Sequence, residues 1–214
     1  MGTHMKILGL AVVCWLAMVG AASANGTLPD RIQVGDREGA LEMIAAGADV
    51  NGAQGDGTTP LHWAVYRVDV ELIRLLLERG AKPDAINNYG SSPLAEAAKV
   101  GNAQLVEILL DAGADVESAN QEGQTALMLA ARAGSMNVAE VLVGRGADVN
   151  AREAWRGQTA LMWAADSNSP ELTRFLIDQG ANVDARALHN DWPVQMTAEP
   201  RNQYRPTGGM TPLL

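Results

Sequence analysis

Residues 52–59 read Gly-Ala-Gln-Gly-Asp-Gly-Thr-Thr, a run of glycines and hydroxyls of the kind that cradles phosphate. Such a loop needs a lysine directly after its last glycine to meet the phosphate charge, and Thr58 stands there instead. Asp49-Val50-Asn51 opens like a calcium loop, but no third oxygen ligand, glycine or distal glutamate follows at the spacing that closes the shell. His62 and His189 have no second His or Cys at metal-ligand spacing. Gly-x-Ser-x-Gly, His-Glu-x-x-His and nucleotide fingerprints are all missing. The expectation is a chain without catalytic residues, metal or cofactor. What it does offer is recognition chemistry: Trp, Tyr and Arg are the types enriched where proteins grip one another. Trp63, Tyr66, Arg67, Tyr89, Trp155 and Trp163 supply them, and Glu96, Lys99, Arg132 and Asp166 accompany them.

These residues recur in phase. Gly57, Gly90 and Gly123 are 33 residues apart and Gly157 follows after 34; Gly80, Gly113, Gly146 and Gly180 keep the same intervals, with Gly47 one period earlier. Each glycine of the second set opens a Gly-Ala pair followed by Asp-Val-Asn or a close variant, as in residues 47–51 and 146–150. Thr59-Pro60-Leu61-His62 starts a unit, and Ser92-Pro93-Leu94, Thr125-Ala126-Leu127 and Thr159-Ala160-Leu161 start the next three. A hydroxyl there caps the free N–H groups of a helix, and proline at the first helical position has the right φ. Two short amphipathic stretches follow in each period, for example 61–67 and 70–78, the second with Leu72, Ile73, Leu76 and Leu77 on one face. In the fifth unit Ser169 and Pro170 signal the start of the second helix.

This grammar resembles the ankyrin repeat, through its period and its Thr-Pro-Leu-His start, over residues 28–185. The resemblance implies an all-α solenoid of stacked helix pairs with extended, β-hairpin-like fingers, each pair burying its apolar stripes only against its neighbours. The expected units are 28–53, 54–86, 87–119, 120–152 and 153–185. Family geometry places Trp63, Glu96, Leu129 and Trp163, four residues after their cap, on the inner, concave helix face. Tyr66 and Arg67, with Lys99, Arg132 and Asp166, fall one turn on, and Tyr89 and Trp155 lie in fingers. Two readings of the tryptophans stand together: rings tolerated at a half-buried position, or rings displayed to a partner. His62 is expected to bond within the finger–helix junction. Departures are informative: the first unit lacks the Thr-Pro-Leu-His start, and the fifth finger holds one more residue near Trp155. Val68 replaces the glycine usual between two helices, and a β-branched side chain resists positive φ, so that turn is expected to tighten or shift.

The ends read differently. Residues 1–4 look like a cloning scar before a start at Met5, a natural start at Met1 being the alternative. Residues 7–22 are apolar, too few for a comfortable membrane span of roughly 20 residues, and they end in Ala22-Ser23-Ala24. That small-x-small pattern predicts a signal peptide over 5–24 cleaved after Ala24, with an uncleaved anchor as the alternative. Cleavage removes Cys14, the one cysteine, so neither a disulfide nor a thiolate site is expected in the mature chain. Residues 186–207 are aperiodic and read as a long irregular loop, after which 208–214 restate a repeat start, as though a longer array continued. Only 4% of residues are aromatic and the formal net charge is −9, with lysine and arginine scattered singly. A polyanion binder would cluster them, so no nucleic acid is expected. The sequence therefore predicts a monomeric, periplasmic or secreted protein-binding scaffold without stable membrane insertion after cleavage, its partner unidentified. The second hypothesis is a regulatory or inhibitory module of a longer protein whose activity lies beyond residue 214.

Overall fold

Every hydroxyl cap in the sequence becomes a helix start. The computed structural model describes residues 26–187, so the expected scar, signal peptide, most of the long loop and the restated repeat start lie outside the described residues. Within them the helices are α1 Leu28–Val34, α2 Arg37–Ala45, α3 Pro60–Tyr66, α4 Val70–Glu78, α5 Pro93–Val100, α6 Ala103–Asp111, α7 Ala126–Arg132, α8 Met136–Gly144, α9 Ala160–Asp166 and α10 Pro170–Asp178. Odd-numbered helices are the inner row and even-numbered ones the outer row. Ser92, Thr125 and Thr159 accept the N–H of Ala95, Met128 and Met162, three residues on. Thr59 closes a capping box with His62. The first unit carries a start that the sequence reading missed: Thr27 forms the same box with Asp30, although the order here is Thr-Leu-Pro-Asp.

The inner row is built to approach closely. Ala64, Ala97, Ala98, Ala130, Ala131 and Ala164 are fully buried between consecutive inner helices. Each inner helix packs on the next from α1 to α9, and outer helices touch their successors more sparsely. Tighter spacing on one side than the other curves a stack, which puts the inner helices on the concave face. Leucines of the outer row, Leu72, Leu76, Leu105, Leu109, Leu142, Leu172 and Leu176, fill the space between the two rows.

Adjacent units are stapled by polar groups of the Gly-Ala-Asp-Val-Asn motif. Asn51 accepts the N–H of Lys82 and donates to the carbonyl of Gly80, both at 2.9 Å. Asn150 repeats this with Asn182 and Gly180. Asp84 and Glu117, in the same place one and two units along, accept the N–H of Asp115 and Asp148 at 2.8 Å. One position thus closes four consecutive joints with three residue types, which explains why Asn, Asp and Glu interchange there.

Two expectations are corrected. The fingers are tight turns rather than hairpins: among the described residues the only ladder pairing is an isolated bridge between Ala119 and Thr125. Val68 does not tighten or shift its turn but takes φ +58°, the left-handed conformation that Gly101 and Gly134 hold in the next two units. The turn is dictated by its surroundings. The Val68 N–H still donates to Val65 and the Asp69 N–H to Ala64, and Asp69 then caps α4 at Leu72. Losing those bonds would cost more than the roughly 1–2 kcal/mol of placing a side chain at positive φ.

Candidate partner-binding face

On a helix, residues three apart share a face. Trp63 with Tyr66, Glu96 with Lys99, Leu129 with Arg132 and Trp163 with Asp166 therefore make two parallel rows along the inner helices. Contacts along and between units establish the continuity. The Trp63 and Tyr66 rings meet edge to face, centroids 5.7 Å apart. Lys99 Nζ lies 2.9 Å from Glu96 Oε1. The Arg132 guanidinium sits over the Trp163 ring of the next unit, 5.3 Å from its centroid. Finger tips border these rows, bonded in two pairs: the Asn88 N–H donates to the Asp56 carbonyl at 2.8 Å and the Ala154 N–H to the Glu122 carbonyl at 2.7 Å.

Depth separates the candidates. Tyr66, Tyr89 and Trp155 are 63%, 74% and 58% exposed, and Asp166 is also exposed. Trp163 is only 8% exposed and Leu129 only 2%, so both belong to the core. Trp163 is held there by Gln158, whose side-chain oxygen accepts its indole N–H at 3.2 Å. Trp63 is half-buried and donates likewise to Gln54 at 2.8 Å. For Trp163 the structure thus favours the packed ring over the displayed one. Arg67 is also committed internally: its Nε and Nη2 donate to the carbonyls of Ile32 and Gln33, both at 2.7 Å, satisfying the C-terminal end of α1. Lys99 and Glu96 share the Ser91 hydroxyl, which accepts from Lys99 and donates to Glu96.

His62 is buried and doubly bonded. Its Nδ1 accepts the Thr59 N–H at 3.2 Å, which leaves Nε2 protonated to donate to the Ser91 carbonyl at 2.9 Å. The ring ties α3 to the start of the next unit, and burial pushes its pKa below the ordinary 6.5. No buried side-chain nitrogen or oxygen among the described residues lacks a partner.

Sequence reasoning missed Glu153. It is buried, 5% exposed, and its carboxylate accepts the N–H groups of Trp155, Arg156 and Gln158 at 2.7, 2.6 and 3.0 Å. Asn87 and Asn120 do the same for two N–H groups in the shorter fingers before it. The fifth finger closes from Glu153 to Gln158, one residue wider than Asn87 to Ser91. The longer side chain spans the wider turn and fixes Trp155 at its tip. The signal was present in the sequence as an acid where two units carry Asn, beside a one-residue insertion.

Comparison with known proteins follows the same period. The family model described as ankyrin repeats (3 copies) matches residues 32–120 and 115–187, well over half of the chain. This chain belongs to the ankyrin repeat family. A potassium channel, AKT3, of Oryza sativa subsp. japonica is 50% identical over 58 residues, which are 26% of this chain and 6% of the channel. The ankyrin repeat protein FPV219 of Fowlpox virus (strain NVSL) is 37% identical over 60 residues, 28% of this chain and 14% of the viral protein. The match thus spans a small part of each relative. Ankyrin repeats act as protein–protein interaction modules, and in this one the inner face and finger tips carry the exposed rings. Shallow grooves also open on the outer side, one lined by Arg74, Leu77 and Asp111 and another by Pro170, Thr173 and Ile177, but they contain no aromatic residue. Among the described residues no group of three or more His, Cys, Asp or Glu is placed to hold a metal, and no helix is long and apolar enough to cross a membrane.

Proposed function

We propose that this ankyrin stack is a protein-binding scaffold acting outside the cytoplasm, as a monomer, and that it grips its partner through the inner helices and finger tips. The observation that carries the reading is the exposure of Tyr66, Tyr89 and Trp155 on a frame in which, among the described residues, every buried polar side chain is satisfied. A surface that needs no reorganisation loses little conformational entropy on binding, and amphipathic rings contribute large contact areas. The location rests on the apolar run and the Ala22-Ser23-Ala24 pattern.

Expression of the chain with its own leader in a bacterial host tests the location: a mature mass beginning at Asn25 supports export, and a product that retains Lys6 in the envelope refutes cleavage. Affinity capture from the native envelope fraction then tests the scaffold reading. A second reading is a regulatory or inhibitory module of a larger protein. It is favoured by the rice potassium channel, in which the matching segment is 6% of the whole. The full gene separates the two, because a catalytic or channel domain beyond residue 214 supports the second.

A further inference from the structure

Most of the cations among the described residues already have a partner. Arg31, Arg37, Lys99 and Arg145 pair with carboxylates, while Arg67, Arg79 and Arg152 donate to backbone carbonyls. Among the cations without such a partner, Arg132 and Arg156 are set apart by the rings that they lie over. Neither guanidinium has a carboxylate within ion-pair distance or a hydrogen bond among the described residues. Each lies instead over a tryptophan: Arg132 over Trp163 at 5.3 Å and Arg156 over Trp155 at 4.8 Å. Both stacks border the fifth unit, one at its inner helix and one at its finger tip. Gln158 joins them, since its side chain holds the Trp163 indole and its N–H is held by Glu153, which also fixes the Trp155 turn.

A guanidinium held over a ring by its charge keeps its fork of N–H donors free for another partner. That fork matches a carboxylate in a bidentate geometry, and holding it in place lowers the entropy lost on binding. We infer that these two stacks form a two-pronged receptor for carboxylate side chains, and that the partner presents an acidic, extended peptide segment across the fifth unit. The inference rests on the protein-binding reading above and specifies its partner chemistry. A nucleic acid offers anionic oxygens too, but its continuous charge would be repelled by a chain of net charge −9. An acidic peptide needs only two local contacts.

Selection of the full chain against a fully randomised linear peptide library provides the test, with circular dichroism confirming the fold of each variant. Selected peptides should share two Asp or Glu residues at a common spacing. Their affinity should fall about tenfold or more in Arg132→Gln and in Arg156→Gln, fall less steeply at low salt than at high salt in Arg132→Lys, and stay unchanged in Arg174→Gln on α10. Peptides that lose binding on Tyr66→Ala or Tyr89→Ala, yet are poor in carboxylates or indifferent to both Gln variants, overturn the receptor and leave the inner-face reading intact. Peptides whose binding survives every inner-face change sink both. Single-stranded nucleic acid that binds more tightly than the selected peptides, with the same two arginines required, replaces the peptide by a polyanion and refutes the inference.

Discussion

The joints between repeats and the inner face that they present treat polar groups in opposite ways. At the joints polar groups close inside the molecule: His62 donates to the Ser91 carbonyl, Asn51 donates to Gly80 and accepts from Lys82, and Arg79 donates to the carbonyl of Ile44. On the face, the Tyr66 and Tyr89 hydroxyls and the Arg132 guanidinium make no hydrogen bond among the described residues, and the rings stand in solvent. The closed groups fix how units stack; the open ones are what a partner can use. The two populations sit on the same short helices, sometimes one residue apart. Tyr66 is open, while Arg67 beside it caps α1.

Breaking a joint should therefore destabilise the stack, and altering the face should not. The largest effect belongs to the apolar filling: Leu109→Ala removes a fully buried side chain between the rows and should cost about 2–5 kcal/mol in urea unfolding. Next comes His62→Ala, which strands a buried carbonyl and an N–H and leaves a cavity, for about 3 kcal/mol. The same residue gives a pH signature. Because its native pKa is lowered, the unfolded chain binds more protons below 6.5. Its contribution is complete above pH 6.5 and declines as the pH falls below it. Unfolding free energies measured from pH 7.5 downward should show that decline in the wild type and not in His62→Gln.

A smaller loss tests the fifth finger. Glu153→Ala leaves three N–H groups without their acceptor and should cost about 2 kcal/mol, with faster amide exchange confined to residues 154–158. Unchanged exchange there would show that the wide turn holds itself. The smallest change runs the other way. Val68→Gly relieves a side chain at φ +58° against the added freedom of the unfolded glycine, for a net gain of about 1 kcal/mol. A loss of stability would mean that the Val68 side chain contributes packing that offsets its strain.

The fold was legible because each local signal repeats. Hydroxyl caps and prolines mark the inner-helix starts, apolar spacing puts a helix at residues 70–78, where α4 lies, and the period carried that reading through the other units. Three features resisted for physical reasons. Val68 follows its tertiary frame over its own preference, because the bonds on either side fix the turn. Thr27 was not seen as a start because Leu and Pro are exchanged and Asp30 stands where His is usual, although a carboxylate closes the same box. Periodicity also places Trp63 and Trp163 in one row but says nothing of depth, which here depends on the neighbours that fold over each ring. Arg132 covers Trp163, and Tyr66 meets Trp63 only at its edge.

The division into closed joints and an open face is tested most directly by partner affinity across four single variants, measured by calorimetry on correctly folded protein. Tyr66→Ala and Tyr89→Ala should each weaken binding of the captured partner by about 2 kcal/mol, roughly thirtyfold. Arg74→Ala and Glu78→Ala, on the outer face of α4, should leave it unchanged. Loss of binding in the two outer-helix variants with full affinity in the two tyrosine variants would place the partner on the convex side and contradict the account.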